Sequence, residues 1–175
     1  MKFKIISLVV IAFIFMSFNL PKGILKKVDK EIKGTYQIET YELIPVDLSQ
    51  NLVKSLASDF SNNNFFKIKS SIQVLGYAYI SKAPSKTAQF DYLVLLDENL
   101  VIMKSKVLAY REEYGGEIGS KRWLRQFIGK TKEDTLLYGD NVVAISGATI
   151  SVRSMTNAMN NLLQSLKVIH EKGIL

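Results

Sequence analysis

The residues best suited to chemistry lie near the C-terminus. Ser146-Gly147-Ala148-Thr149-Ile150-Ser151 sets three hydroxyls within six residues, around one glycine. Val142–Ile145 before them is β-branched and apolar and reads as a strand end. After them Val152, Met155, Met159, Leu162, Leu163, Leu166 and Ile169 recur at helical spacing. The motif is therefore expected at a tight turn that opens a long helix. Such an N-terminus has free N–H groups and the positive end of the helix dipole, a seat for an anion such as phosphate. Arg153 in the first turn could add charge. The plainer reading is that Thr149 or Ser151 simply caps the helix. A second cluster runs from Arg111 to Glu117 (REEYGGE), where Gly115 and Gly116 let backbone come close to a ligand and Glu112 and Tyr114 offer an acceptor and a ring. Trp123 and Phe127 follow it.

Composition narrows the chemistry. The 175 residues are 47% apolar, enough for one domain with a core. Cysteine is absent, which excludes disulfides, thiolate zinc, iron–sulfur clusters and a Cys nucleophile. The only histidine is His170, some twenty residues along one helix from Ser151, so a hydrolase using Ser146 or Ser151 with His170 is disfavoured. The net charge is +7, yet it is uneven. Lys2, Lys4, Lys22, Lys26, Lys27, Lys30 and Lys33 face only Asp29 and Glu31 in the first 34 residues. A basic collar of this kind suits lipid headgroups better than a nucleic-acid duplex.

Between those lysines, Ile5–Leu20 is apolar except for Ser7, Ser17 and Asn19. A relaxed span needs about 17–25 residues. Residues 1–21 are thus expected to be a signal anchor or transmembrane segment, or a cleaved signal peptide, with 22–34 a basic stalk.

The elements that must position the two clusters follow. Thr35–Ile44 reads as a strand, and Asp47 as the cap of a helix bearing Leu48, Leu52, Leu56 and Phe60. Val74–Ile80, Phe90–Leu96 and Leu100–Tyr110 read as an antiparallel meander, with a turn at Asp97-Glu98-Asn99. Ser120 caps a short helix in which Trp123 pairs with Phe127 and Leu124 with Ile128, and Gly129 ends it. The expected fold is α+β, a single small domain with an antiparallel sheet packed by helices, on an N-terminal membrane anchor. Residues 35–73 form its N-terminal extension and 74–170 its body.

The run Ser146-Gly147-Ala148-Thr149-Ile150-Ser151 resembles the S-G-A-T-x-[ST] signature of the FMN-binding domain family, which includes the flavin-carrying G subunit of Rnf and C subunit of the sodium-translocating NADH:quinone reductase. Leu75-Gly76-Tyr77-Ala78 resembles that family's opening strand. Arg111–Glu117 with Trp123-Leu124 and Gln126–Lys130 resembles its E-T-P-G-x-G loop and following helix. The resemblance covers about residues 74–165. It implies FMN as cofactor, esterified through its phosphate to Thr149 by a flavin transferase, with Ser146, Gly147, Ala148, Ser151, Glu112, Tyr114, Gly115 and Trp123 around it. A flavin needs an aromatic or apolar wall, for which Tyr114, Trp123 and Phe127 are the candidates, and polar partners such as Glu112. Two positions depart from the family: Glu113-Tyr114 stand where it has Thr-Pro, and Val143 where it often has Asp. The implied function is a membrane-associated electron carrier on the extracytoplasmic side, working with redox partner proteins as part of an oxidoreductase system rather than as a stand-alone enzyme. The alternative is a module of the same fold that holds FMN without a covalent bond, or serves assembly or sensing.

Overall fold

β4, Gln89–Asp97, is the centre of the molecule, and its sequence says why. Phe90 through Leu96 are all buried, so the strand is covered on both faces and is apolar without alternation from Tyr92 to Leu96, with the one buried carboxylate, Asp91, near its start. The computed structural model describes residues 21–61, 63–71 and 73–175. They form a small α+β domain around a five-stranded sheet in the order β1-β2-β3-β4-β5, antiparallel throughout. The strands are β1 (Glu42–Pro45), β2 (Phe65–Ser70), β3 (Gln73–Pro84), β4 and β5 (Ile102–Ala109). The meander expected from Val74 to Tyr110 is present.

The pleat sends alternate β4 residues to two separate apolar clusters. Phe90, Tyr92, Val94 and Leu96 join Phe65, Tyr77 and Tyr79 on one face. That face is covered by α4 (Thr149–Glu171), whose Val152, Met155, Met159, Leu162, Leu163, Leu166 and Ile169 are each at most 1% exposed. The apolar stripe read from Ser151 to His170 is thus core. On the other face, Leu93 and Leu95 join Phe66, Ile68, Ala78, Ile80 and Leu108.

That second face is covered by α1 (Lys22–Tyr36), through Ile24, Val28 and Ile32. The segment read as a basic stalk is therefore a helix docked on the sheet. Lys27 Nζ donates to Leu108 O at 2.5 Å. Glu31 pairs with Lys104 at 2.6 Å, and Tyr36 Oη donates to Leu96 O at 2.6 Å. The N-terminal extension likewise belongs to the sheet, because β1 and β2 are two of its five strands. The membrane anchor expected within residues 1–21 falls, up to Leu20, outside the described residues. Among the described residues no helix is long and apolar enough to cross a membrane.

Three local expectations are corrected. Thr35–Ile44 contributes only β1, from Glu42, and its first two residues end α1. Only Gln50–Val53 (α2) is helical between Asp47 and Phe60, and Ser49 rather than Asp47 caps it, accepting from Leu52 N at 3.4 Å. Val142–Ile145 is no strand: it holds one bridge, between Tyr138 and Val142.

Candidate functional site

The N-terminus of α4 has no side-chain cap. Ala148 occupies the cap position with no capping hydrogen bond, and Thr149 is the first helical residue. The capping role considered for Thr149 or Ser151 is therefore filled by neither. No acidic residue lies in its first turn, so the helix itself does not offset the positive end of its dipole. Ser146, Gly147 and Thr149 are exposed. Gly147 has φ +77°, a left-handed conformation that glycine enters without strain, with open space where a Cβ would project. It turns the chain into the helix. Arg153 lies with its guanidinium 4.7 Å from the centre of the Tyr138 ring.

The Arg111–Glu117 loop is brought against this turn. A Cβ on Gly115 would stand 2.8 Å from Ala148 Cβ and 3.0 Å from Tyr110 Oη, and Gly115 has φ +81°. Both conditions demand glycine, so the loop and the motif meet at a contact between two small residues. Tyr110, just past β5, fastens the same corner. Its ring packs 6.0 Å from Phe90, and its hydroxyl hydrogen-bonds Ser151 Oγ at 3.0 Å.

The other end of the loop is tied to the sheet. Arg111 donates to Gln89 O at 2.7 Å and pairs with the buried Asp91 carboxylate. Glu112 faces the β3–β4 turn. Its carboxylate accepts from Ser85 Oγ at 2.6 Å, Thr87 N at 2.7 Å, Thr87 Oγ1 at 2.8 Å and Ala88 N at 3.1 Å. These donors, Ser85 first, hold the Glu112 carboxyl down at about 2, against an ordinary value of 4.5. A shallow hollow of about 450 Å³ lies beside this clasp, lined by Lys82, Thr87, Ala88, Gln89 and Arg111, none of them in the Ser146–Ser151 motif.

Beyond the loop, Ser120 caps α3 (Lys121–Leu124) by accepting from Trp123 N at 3.2 Å. The helix is one turn long and continues as a 3₁₀ turn through Phe127. Trp123 meets Phe127 edge to face at 5.2 Å, as the spacing predicts. Ile128, expected to pair with Leu124, is instead 49% exposed. Trp123 is buried, and its Nε1 donates to Val143 O at 2.7 Å. Val143 N in turn donates to Gln126 Oε1 at 2.8 Å. Two side chains thus hold the approach to the motif where a strand was expected.

The structure therefore groups Ser146, Gly147, Ala148, Thr149, Tyr114 and Gly115 at one corner. Three other candidates take supporting positions. Ser151 is 3% exposed and engaged by Tyr110. Trp123 lies behind the 143–148 turn. Glu112 spends its oxygens on the β3–β4 turn. Tyr114 beside Gly115, Val143 just before the motif and Ile150 within it are apolar and 77%, 65% and 51% exposed. Sequence reading overlooked Val143 and Ile150 as surface, and Tyr110 and Gln126 as supports. An apolar residue on the solvent side of a helix start, as Ile150 is, was the legible signal for the first pair.

Residues 87–164 match the model of the FMN-binding domain family. The FMN-binding domain so matched begins in the β3–β4 turn and ends within α4, spanning both clusters. Leu75–Ala78 precedes it. FMN is the cofactor this family indicates. The residues present suit that group: an exposed hydroxyl at an uncapped helix start for the phosphate, and exposed apolar side chains beside it for the ring. No curated protein matches the chain.

Proposed function

We propose that this protein is a membrane-associated electron carrier whose FMN is joined to Thr149. The observation that carries the reading is the Thr149 hydroxyl, exposed on the first residue of an uncapped helix inside the matched domain. The flavin, when bound, supplies the one- and two-electron chemistry. The protein's part is to hold and surround it. Helix N–H groups and Arg153 favour the single negative charge of the phosphodiester, and Ser146 offers a further hydroxyl. Tyr114, Val143 and Ile150 offer the ring an apolar bed. The bed is open, so the ring stays within reach of a partner protein. The ester links Thr149 Oγ to phosphorus with loss of one water, a step assigned to a flavin transferase. The apolar run Ile5–Leu20 supports attachment to a membrane; an extracytoplasmic domain with redox proteins as its partners is what the family resemblance implies.

Intact mass tests this. Chain co-expressed with a flavin transferase should gain the mass of FMN less one water, located on the peptide containing Thr149, with yellow colour that survives denaturation. Flavin that is released on denaturation, with no mass gain, would favour the non-covalent module instead. Flavin mapped to another residue would overturn the assignment of Thr149.

A further inference from the structure

We infer that the outer face of α1 lies on an anionic lipid surface, which turns the α4 layer and its Thr149 corner away from the membrane. The argument starts from the helix's two faces. At 3.6 residues per turn, Lys22, Lys26, Lys30 and Lys33 fall within roughly 80° of arc, opposite the line of Ile24, Val28 and Ile32. The apolar line is buried on the sheet, so the lysine line faces outward. Lys22, Lys26 and Lys30 are exposed. Of the acids of the helix, Glu31 is turned to Lys104 on β5, while Asp29 borders the lysine line, where it holds Lys33 at 3.1 Å and accepts from Tyr41, leaving Lys22, Lys26 and Lys30 without an acid of the helix paired to them. What remains outward is a cationic strip.

The neighbouring chain selects a bilayer as its partner. The strip begins at Pro21, directly after the apolar run Ile5–Leu20. Pro21 has φ −55° and ψ 140°, which is not helical, so α1 starts anew there and its axis is free to differ from that of whatever precedes it. A cationic helix face that starts at the end of an apolar run lies at headgroup height, where phosphate charge attracts lysine. Because α1 and α4 cover opposite faces of one sheet, contact along α1 leaves α4 on the aqueous side. The inference uses the membrane reading of residues 5–20 for attachment, but the lysine strip can be tested apart from it.

The full chain is reconstituted in vesicles of phosphatidylcholine, alone or mixed with phosphatidylglycerol, and its amines are acetylated and mapped. On mixed vesicles, Lys22, Lys26 and Lys30 should react several-fold more slowly than on phosphatidylcholine, and added salt should restore them. Lys54 and Lys172 should not change. Lys26→Glu with Lys30→Glu should free Lys22 while leaving the thermal midpoint in place, since both side chains are exposed. Because the chain lacks cysteine, single labels report orientation: a fluorophore at Gly34→Cys should be quenched by nitroxide headgroups and one at Tyr114→Cys should not. Equal acetylation on the two vesicles would overturn the inference, as would equal quenching of the two labels. Protection that persists in detergent without lipid would overturn it in favour of a protein contact. A chain removed by a carbonate wash, yet protected before it, would refute the anchor and still support the lysine strip.

Discussion

Thr149 and Glu112 show two ways in which a polar side chain comes to matter. Thr149 makes no capping bond, because the cap position belongs to Ala148. Thr149→Ala should therefore abolish covalent flavin while shifting stability by no more than about 0.5 kcal/mol, the usual range for a surface change; in-gel flavin fluorescence and a thermal melt read the two effects. Ser151 should not take over, being buried and bonded to Tyr110. Glu112 is the opposite case, a carboxylate fully engaged by its own fold. Its folded value lies below its unfolded one, so the clasp is complete above about 4.5 and is lost as pH falls through about 2. The Thr87 and Ala88 amide resonances should move with a midpoint near 2. Glu112→Gln should speed exchange of those two amides and leave the flavin potential where it was. A shift in the potential would return Glu112 to the ring's surroundings.

Among elements, the junction of the 111–117 loop with α4 is the most sensitive. Gly115→Ala would set a methyl 2.8 Å from Ala148 Cβ in a left-handed conformation. A cost of roughly 1–3 kcal/mol is expected, together with lower flavin incorporation, measured by denaturant unfolding and by the flavin-to-protein absorbance ratio. This junction was partly legible in the sequence, since the glycines and the small-residue motif announce a close approach. Which residues hold it was not, because Tyr110–Ser151 and Trp123–Val143 are contacts between distant segments. Periodicity carried the meander and α4, whose apolar patterns are set by burial on the sheet. It misled between Leu48 and Phe60, where, apart from the single turn of α2, coil sends Leu48, Leu56 and Phe60 to the α4-side cluster. Serine side chains take over the backbone there, with Ser55 Oγ donating to Leu52 O and Ser165 Oγ accepting from Ser58 N. In α1 the helical signal was present as Ile24, Val28 and Ile32, and the lysines and glycines around it obscured it.

At the scale of the molecule, α1 is a structural layer equal in kind to α4. Ile32 is fully buried between α1 and the sheet. Ile32→Ala should cost about 2–5 kcal/mol in denaturant unfolding, the range for truncating a buried isoleucine to alanine. A stalk outside the fold would show no such loss. Removing the layer would expose Phe66, Ile68, Ile80, Leu93, Leu95 and Leu108 together, an apolar area that invites aggregation.

The strand order has a consequence in time. Each pairing in the sheet joins strands adjacent in sequence, and the β2–β3, β3–β4 and β4–β5 hairpins close over short loops, which favours their early formation. α4 comes last along the chain and docks over long separations, notably against β3. A chain emerging N-terminus first can assemble all five strands and α1 while Phe65, Tyr77, Tyr79, Phe90 and Tyr92 still stand open. That interval is when the chain is most prone to stick to its neighbours. The helix that ends it also carries Thr149 on its first turn. The corner around Thr149 is complete only once Ala148 reaches Gly115 and Ser151 reaches Tyr110, so, on the proposed function, a transferase that reads this corner would load chains that have finished folding and pass over those that have not.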